Sequence, residues 1–317
     1  MSGKRLIIDA DPGVGDALAI ALALIDPEIE VVGLTAVTGV VSGQQASGNL
    51  QTILSYVDPA LWPRLGFHDG QTSLLPRDTG LLLPNGACGL GECHPVDAPL
   101  HQPTESAKVI VELVKQQPGE LTLLTLGPLT NVYLAMERYP ELLPNLRRLV
   151  CMAGSVLEGG DVTSAAEFNI FADPEAAQTV LSFPSKKTLL PLDISRKMML
   201  SFEQFDRLPL DPYTRFGQFL RWLLPYGLRT SRMQFGTEGV ILPELMALAA
   251  VTQERLFEQE SMLVDVELAG ELTRGATVFD RRKLGRWQAN IDVLTAVDVQ
   301  GVLDYMTRLL KLIAPKD

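Results

Sequence analysis

The segment that most constrains the fold is residues 6–25, which read LIIDADPGVGDALAIALALI. An apolar strand runs into an acidic turn, and the helix that follows is apolar on nearly every face. A surface helix keeps one polar face, so a helix of this kind is expected to lie between other elements. Strand and helix patterns go on alternating over residues 30–57 and 104–126, which is typical of a parallel sheet built from β-α-β units. We predict an α/β fold with a mostly parallel central sheet and helices on both faces.

The chain is long enough for one large domain. It has 317 residues, 46% of them hydrophobic, and it contains no internal repeat or linker-like stretch. We therefore predict a single domain over residues 1–317. Its C-terminal part is expected to be helical over residues 201–252, followed by strands at residues 261–268 and 286–293 and a closing helix at residues 297–313.

The charge and cysteine content narrow the possible partners and the location. A net charge of -11 argues against nucleic acid, because phosphate binding needs clustered Lys and Arg. No apolar run reaches the roughly 18 residues of a spanning helix, so no membrane partner is expected. The chain has only 3 cysteines, so a disulfide framework is not expected. We therefore expect the protein in a reducing compartment. These features predict a cytoplasmic protein that acts on a small neutral or cationic molecule.

The acidic turn is a candidate cation site. Asp9, Asp11 and Asp16 follow or flank the end of the first strand, and carboxylate oxygens suit Ca²⁺ or Mg²⁺. The alternative is a plain helix cap by Asp16, but a cap needs only one acid. Ligands of parallel sheets bind beyond the carboxyl ends of the strands, so the ends of the strands at residues 121–126 and 148–152 are expected to face the same site.

Five segments of the chain resemble one family in order. The turn DADPGVGD resembles the N-terminal signature of the inosine-uridine-preferring nucleoside hydrolases, Asp-x-Asp-Pro-Gly-x-Asp-Asp. PEIEVVGLTAV at residues 27–37, GPLTN at 127–131, AEFNI at 166–170 with DPEAA at 173–177, and VDVEL at 264–268 resemble later blocks of the same family. Because ordered blocks across nearly the whole chain are more specific than one acidic turn, the chain is identified as a divergent member of this family.

The resemblance implies hydrolysis of the N-glycosidic bond of a nucleoside with the help of a bound calcium ion. Asp11 matches the calcium ligand that also takes the proton of the attacking water, which makes it the candidate catalytic base. Asp16 matches a bidentate calcium ligand, and Leu126 matches a ligand that acts through its backbone carbonyl. A metal that lowers the pKa of water and a carboxylate that deprotonates it form a coherent pair.

The same resemblance implies a substrate site and an assembly state. Glu167 and Asn169 match residues that hydrogen-bond the ribose hydroxyls, and Asp161 replaces an Asn with a similar task. The expected partner is a small nucleoside-like molecule, and the expected assembly is a homo-oligomer.

Several departures from the family pattern fall on the expected site. Gly15 replaces the first residue of the Asp-Asp pair, Val40 replaces an Asn, Asn85 replaces a His, and Leu242 replaces the Asp of a late His-Asp-Pro. The loss of the Asp at Leu242 makes calcium doubtful and predicts weak binding and slow cleavage of ordinary ribonucleosides. Glu244 lies nearby, but an acid two residues along a helix is expected to point to a different face.

Two other functions remain open from the sequence. One is a non-catalytic member that binds a ribosyl-like ligand, or serves structurally, after losing calcium. The other is a phosphatase of the haloacid dehalogenase type, with Asp9 as nucleophile, Asp11 as acid and bound magnesium. The joint presence of Asp11, Asp16, Glu167 and Asn169 favours the hydrolase.

Overall fold

The computed structural model describes residues 3–70, 74, 85–92, 103–282 and 288–313. Within those ranges a central sheet of nine strands has the order β10-β9-β11-β6-β5-β4-β1-β2-β3, and a separate pair joins β7 to β8. The strands are β1 Lys4–Ala10, β2 Ile29–Ala36, β3 Arg64–Gly66, β4 Leu121–Thr125, β5 Arg148–Met152, β6 Lys187–Leu190, β7 Met199–Ser201, β8 Gly239–Ile241, β9 Phe257–Val266, β10 Thr277–Asp280 and β11 Ile291–Val297.

The central sheet is parallel from β3 through β11. At the other end of the sheet, β9 pairs in the antiparallel sense with both β11 and β10. Its helices are α1 Val14–Ile25, α2 Gly43–Val57, α3 Ser106–Gln116, α4 Thr130–Arg138, α5 Phe168–Ala172, α6 Pro174–Ser182, α7 Leu192–Ser195, α8 Phe202–Asp206, α9 Arg215–Phe235, α10 Pro243–Thr252 and α11 Val299–Ile313. The predicted α/β class with a mostly parallel sheet is confirmed.

The helices form two layers, each with its own apolar core. One core joins α1, α2, α9, α10 and α11 to one face of the sheet, and the other joins α3, α4 and α6 to the opposite face. Residues 14–23 of α1 are all buried. Helix α1 packs against four helices of its layer, as the all-round apolar pattern predicted.

The C-terminal region differs in detail from the sequence expectation. Strand β10 was not predicted, and the strand expected at residues 286–293 begins at Ile291 instead. Residues 283–287 lie outside the described part. Among the helices that the structure describes, none is both long enough and apolar enough to cross a membrane.

Candidate active site

A cavity of about 160 Å³ opens where β1, β4 and β5 end at one edge of the sheet. All six site residues expected from the sequence line it: Asp11, Asp16, Leu126, Asp161, Glu167 and Asn169. The topology explains this convergence, because β4 and β5 follow β1 side by side in the sheet. Their carboxyl ends therefore meet at the same edge.

Asp11 is held in a narrow space directly after β1. Its Oδ2 accepts a hydrogen bond of 2.6 Å from the backbone N–H of Val40. A Cβ atom at Gly39 would overlap this carboxylate, and one at Gly127 would lie 2.5 Å from its Oδ1. Burial first, and then the charge of Asp16, raises the pKa of Asp11 well above its usual range. The carboxylate is thus fixed in place and costly to ionise without a cation nearby.

Asp16 lies in the first turn of α1, and one of its oxygens has a partner. Oδ2 accepts a hydrogen bond of 2.9 Å from the N–H of Gly13. Oδ1 is buried and has no hydrogen-bond partner among the described residues. Burial raises the pKa of Asp16 to about 6. One oxygen of Asp16 therefore caps the helix, as one interpretation of the sequence expected, while the other has no donor in the described part of the chain.

Leu126, the residue that follows β4, also lines the cavity. Its N–H continues the sheet by donating to the carbonyl of Asp9 at 2.9 Å. Its carbonyl oxygen accepts a hydrogen bond of 2.9 Å from Nδ2 of Asn169. A carbonyl has a second lone pair, so this oxygen can still bind a cation.

Glu167 and Asn169 lie at the start of α5 and are tied to the backbone. The Glu167 carboxylate accepts hydrogen bonds from three backbone N–H groups, those of Gly154, Asn169 and Ile170, at 2.8 to 3.1 Å. The Asn169 amide donates to the carbonyls of Leu126 and Met152, which fixes its plane. Burial, reinforced by the charge of Asp161, raises the pKa of Glu167 to about 8. The pair is therefore rigid, which suits the positioning of a sugar.

Asp161 approaches the cavity from the loop before α5. Its Oδ1 accepts a hydrogen bond of 2.8 Å from the N–H of Phe168. Burial raises the pKa of Asp161, while the N–H of Phe168 and the charge of Arg196 act in the opposite direction. The residue therefore connects the loop to α5 and also faces the ligand space.

Glu244 also lines the cavity, so the expectation that it would not reach the site is wrong. Residue 242 is not helical: Leu242 precedes α10 with φ -127° and ψ 68°, so the two positions do not share a regular helix. Leu242 packs fully buried in the apolar core. Oε2 of Glu244 is buried and lacks a hydrogen-bond partner within the described ranges. A Cβ at Gly15 would overlap that carboxylate.

Asn85 and Val40, which depart from the family pattern, both line the cavity. Oδ1 of Asn85 accepts a hydrogen bond of 2.9 Å from the N–H of Val14, so it caps the first turn of α1. Val40 contributes its backbone N–H to Asp11, a contact that does not depend on its side chain. Neither substitution therefore breaks the support of the acidic residues.

Asp9 is completely buried beneath the site. Its Oδ1 accepts hydrogen bonds from Thr35 at 2.6 Å and from Asn131 at 2.8 Å, and burial raises its pKa to about 7. It is not among the residues that line the cavity. A nucleophile must reach its substrate, so this position does not support the phosphatase alternative.

The donor set of the cavity fits a hard cation, although its side chains do not form a closed metal site as they stand. Within the described ranges, no group of three or more His, Cys, Asp or Glu side chains is arranged to hold an ion. The cavity nevertheless brings together Asp11, Asp16, Glu244 and the carbonyl of Leu126, all of them oxygen donors. The unpartnered oxygens of Asp16 and Glu244 indicate what such an ion would contact.

Comparison with known proteins identifies relatives along nearly the whole chain. The model of the family described as inosine-uridine preferring nucleoside hydrolase matches residues 6–304. The non-specific ribonucleoside hydrolase RihC of Salmonella enteritidis is 35% identical over 309 residues, covering 96% of this chain and 97% of the relative. Uridine nucleosidase 1 of Arabidopsis thaliana is 32% identical, covering 97% and 94% of the two chains.

Solved structures show the same relationship at the level of the fold. The purine-preferring ribonucleoside hydrolase from Gardnerella vaginalis aligns with a TM-score of 0.88 and 26% identity, covering 98% of this chain and 99% of that one. The plant nucleoside hydrolase PpNRh1 aligns with a TM-score of 0.85 and 26% identity, covering 97% and 98%. The chain therefore belongs to the inosine-uridine preferring nucleoside hydrolase family.

Proposed function

We propose that this protein hydrolyses the N-glycosidic bond of ribonucleosides in the cavity described above, with Asp11 as the catalytic base and calcium as the metal. Family membership supports ribonucleoside hydrolysis in general. The observation that carries the finer proposal is the position of Asp11, which is fixed between Gly39 and Gly127 beside acids with unpartnered buried oxygens.

Asp11 has the properties of a general base. Without a cation its pKa is raised by burial and by the charge of Asp16, so a bound cation is what would keep this carboxylate ionised and able to accept a proton. A calcium ion held by Asp16, Asp11 and the carbonyl of Leu126 would supply Lewis acidity that lowers the pKa of a water molecule. The N–H of Val40 keeps one Asp11 oxygen in place, and the other oxygen can accept the proton of the attacking water.

The opposite side of the cavity is suited to the sugar. Asn169 is oriented by two backbone carbonyls, and Glu167 is oriented by three backbone N–H groups. Ribose hydroxyls can donate to the remaining lone pairs of Glu167 and Asp161. As the bond to the base breaks, the sugar gains oxocarbenium character, and nearby carboxylates stabilise that positive charge.

The charge of the chain favours nucleosides over nucleotides as substrates. The net charge is -11, and the cavity itself is lined by several carboxylates. A phosphate group on the substrate would be repelled by both. A neutral ribosyl compound avoids this repulsion.

The test is a screen for release of free base. The purified protein is stripped with EDTA, reloaded with Ca²⁺, and incubated with purine and pyrimidine ribonucleosides, deoxynucleosides and nicotinamide riboside. At least one ribosyl compound is expected to be cleaved, and Asp11→Asn should lower kcat by about 10²- to 10⁴-fold, the usual contribution of a general base.

Glu238→Gln is the matched control, because Glu238 is an exposed carboxylate paired with Arg232 outside the cavity. Its kcat is expected to equal that of the wild type. If Asp11→Asn turns over as fast as this control, Asp11 is not the base. If no compound in the screen is cleaved, the hydrolase proposal is wrong.

The non-catalytic alternative has one observation in its favour. Gly15 stands where the resemblance implies a carboxylate that grips the ribose 2-hydroxyl, so that contact cannot come from this position. A member of this kind would bind ribose-containing ligands in equilibrium dialysis without releasing base. The same screen therefore separates the two functions.

The cytoplasmic location and the homo-oligomeric state stay predictions. Sedimentation velocity of the purified chain measures the second directly. A species of one chain at micromolar concentration would contradict it.

A further inference from the structure

The family pattern has an acid at positions 15 and 242. This chain has Gly15 and Leu242 there instead. The structure places a different acid, Glu244, in the same cavity as Asp11 and Asp16. We propose that Glu244 supplies the third carboxylate of the cation site and that Gly15 provides the space this carboxylate occupies. The inference rests on the proposed function in one respect, namely that a cation binds in this cavity.

The space at Gly15 is the first argument. The three atoms nearest to a Cβ built at Gly15 all belong to the carboxyl group of Glu244, and Oε2 would overlap it. Any side chain at position 15 would therefore displace Glu244. The position of Glu244 and the absence of a side chain at residue 15 depend on each other.

The backbone gives no other reason for a glycine at this position. Gly15 lies inside α1 and is not one of the described glycines with positive φ. A glycine inside a helix costs about 1 kcal/mol relative to Ala. The close approach of Glu244 is the feature of the structure that excludes Ala.

The environment of Glu244 is the second argument. Its Oε2 is buried without a hydrogen-bond partner in the described part of the chain, and Oδ1 of Asp16 is in the same condition. Asp11 and Asp16 line the same cavity as Glu244, so three carboxyl groups lie close together there. Buried carboxylates that repel one another and lack donors are expected only where a positive charge offsets them.

The local structure of α10 explains why the acid comes from position 244. Pro243 begins the helix, and Glu244 lies in its first turn, where the helix dipole favours a negative charge. Leu242 is fully buried among apolar side chains of the core. An acid at position 242 would enter that core, whereas the longer side chain of Glu244 enters the cavity.

The donor set determines the class of cation. Asp11, Asp16, Glu244 and the Leu126 carbonyl provide only oxygen atoms, and three of the four groups are carboxylates. Such a set suits a hard divalent ion and gives little affinity for soft metals. The site is expected to prefer Ca²⁺ over Mg²⁺, because Ca²⁺ accepts the irregular geometry of ligands from separate elements.

The test is calorimetric titration of the EDTA-stripped protein with CaCl₂, which does not depend on catalysis. Glu244→Gln is expected to raise the Kd for Ca²⁺ by about 10- to 100-fold or more. Losses of that size already follow when a residue that only orients a metal ligand is replaced. Gly15→Ala is expected to raise the Kd to a similar extent by displacing Glu244. Glu238→Gln and Gly48→Ala are matched controls and should leave the Kd unchanged.

The controls match in chemistry and differ in place. Glu238 carries the same charge but lies outside the cavity, in an exposed ion pair with Arg232. Gly48 lies inside α2, and a Cβ there would meet nothing within 4 Å. A general effect of lost charge, or of Ala in a helix, would therefore appear in the controls as well.

A double-mutant cycle tests the dependence between the two residues. In a Glu244→Ala background there is no carboxylate to displace, so adding Gly15→Ala should change the Kd by less than about twofold if the effects share one cause. Additive effects would show that Gly15 acts independently of Glu244. Thermal unfolding in EDTA checks folding, and Glu244→Gln should melt at the wild-type temperature or above it, because one unpaired buried carboxylate is removed.

The outcomes distinguish this inference from the proposed function. If the wild type binds Ca²⁺ and Glu244→Gln binds it equally well, Glu244 is not a ligand, and the proposed function is unaffected. If the wild type binds no Ca²⁺, both proposals lose their metal. If Glu244→Gln weakens calcium binding while Gly15→Ala does not, Glu244 does not depend on the space at Gly15, and that part of the inference is wrong.

Discussion

At the scale of single residues, the site depends on glycines as much as on its acidic side chains. Gly39 and Gly127 lie on two sides of the Asp11 carboxylate, and a Cβ at either would press on one of its oxygens. The N–H of Val40 also donates a hydrogen bond to Oδ2 of Asp11, which holds the orientation of the carboxylate. A base held in this way does not have to reorient before it accepts a proton, so the reaction avoids the entropic cost of that reorientation.

Gly127→Ala tests this support without removing a polar atom. The new Cβ would lie 2.5 Å from Oδ1 of Asp11 and 2.7 Å from Cγ1 of Val37, so the carboxylate must move. Because a displacement of about 1 Å in a catalytic group can cost about 10²-fold in rate, kcat is expected to fall by that order. Steady-state kinetics on the best substrate measures it, with Gly48→Ala as the control. An unchanged kcat would mean that the position of Asp11 is not limiting.

The sequence predicted some of these residues and not others for a physical reason. Asp11 and Asp16 belong to a short motif, so their positions follow from one strand, one turn and one helix. The contact between Gly15 and Glu244 joins α1 to α10 across more than 200 residues of chain, and no local pattern reports it. Glu244 was not expected in the cavity because a regular helix was assumed through residue 242, where the backbone is in fact not helical.

At the scale of elements, the start of α10 decides where an acid can enter the cavity. Leu242 precedes the helix and packs into the same apolar core as α1. Glu244 follows Pro243 and lies in the first helical turn. The boundary of one helix therefore separates a core position from a cavity position within three residues.

Leu242→Asp tests this boundary by restoring the acid of the family pattern. The site would gain nothing, because the carboxylate would lie in the apolar core. Burying an unpaired charge is expected to lower the free energy of unfolding by about 3–5 kcal/mol, as measured by urea denaturation. Leu242→Asn, which adds polarity without charge, should lose less. A variant Leu242→Asp with tighter calcium binding and unchanged stability would show that position 242 reaches the cavity.

The elements also show what periodicity can predict. The all-round apolar pattern of α1 predicted a helix between other elements, and α1 indeed packs against α2, α9, α10 and α11. Strand β10 was missed because its four residues, Thr277–Asp280, are all partly or fully exposed and carry no clear alternation. Short edge strands of this kind are defined by their pairing, here with β9, and less by their own sequence.

At the scale of the whole molecule, the cavity and the net charge of -11 act in the same direction. Carboxylates from α1, α10 and the end of β1 converge in one cavity, and the surrounding negative charge raises the local concentration of cations. The metal-free protein is destabilised by repulsion among these groups. Ion binding and folding are therefore expected to be linked.

Calcium should raise the thermal stability of the whole chain through this linkage. At a free concentration of 100 times Kd, a ligand that binds only the folded state adds about 2.7 kcal/mol, which corresponds to a rise in Tm of about 4 °C for a chain of this length. Differential scanning calorimetry in EDTA and in CaCl₂ measures the shift. Asp16→Asn, which removes the carboxylate with an unpartnered oxygen, should reduce the shift, because more calcium is then needed to reach the same occupancy. Equal Tm values of the wild type in EDTA and CaCl₂ would contradict the linkage, and an undiminished shift in Asp16→Asn would show that the ion binds elsewhere.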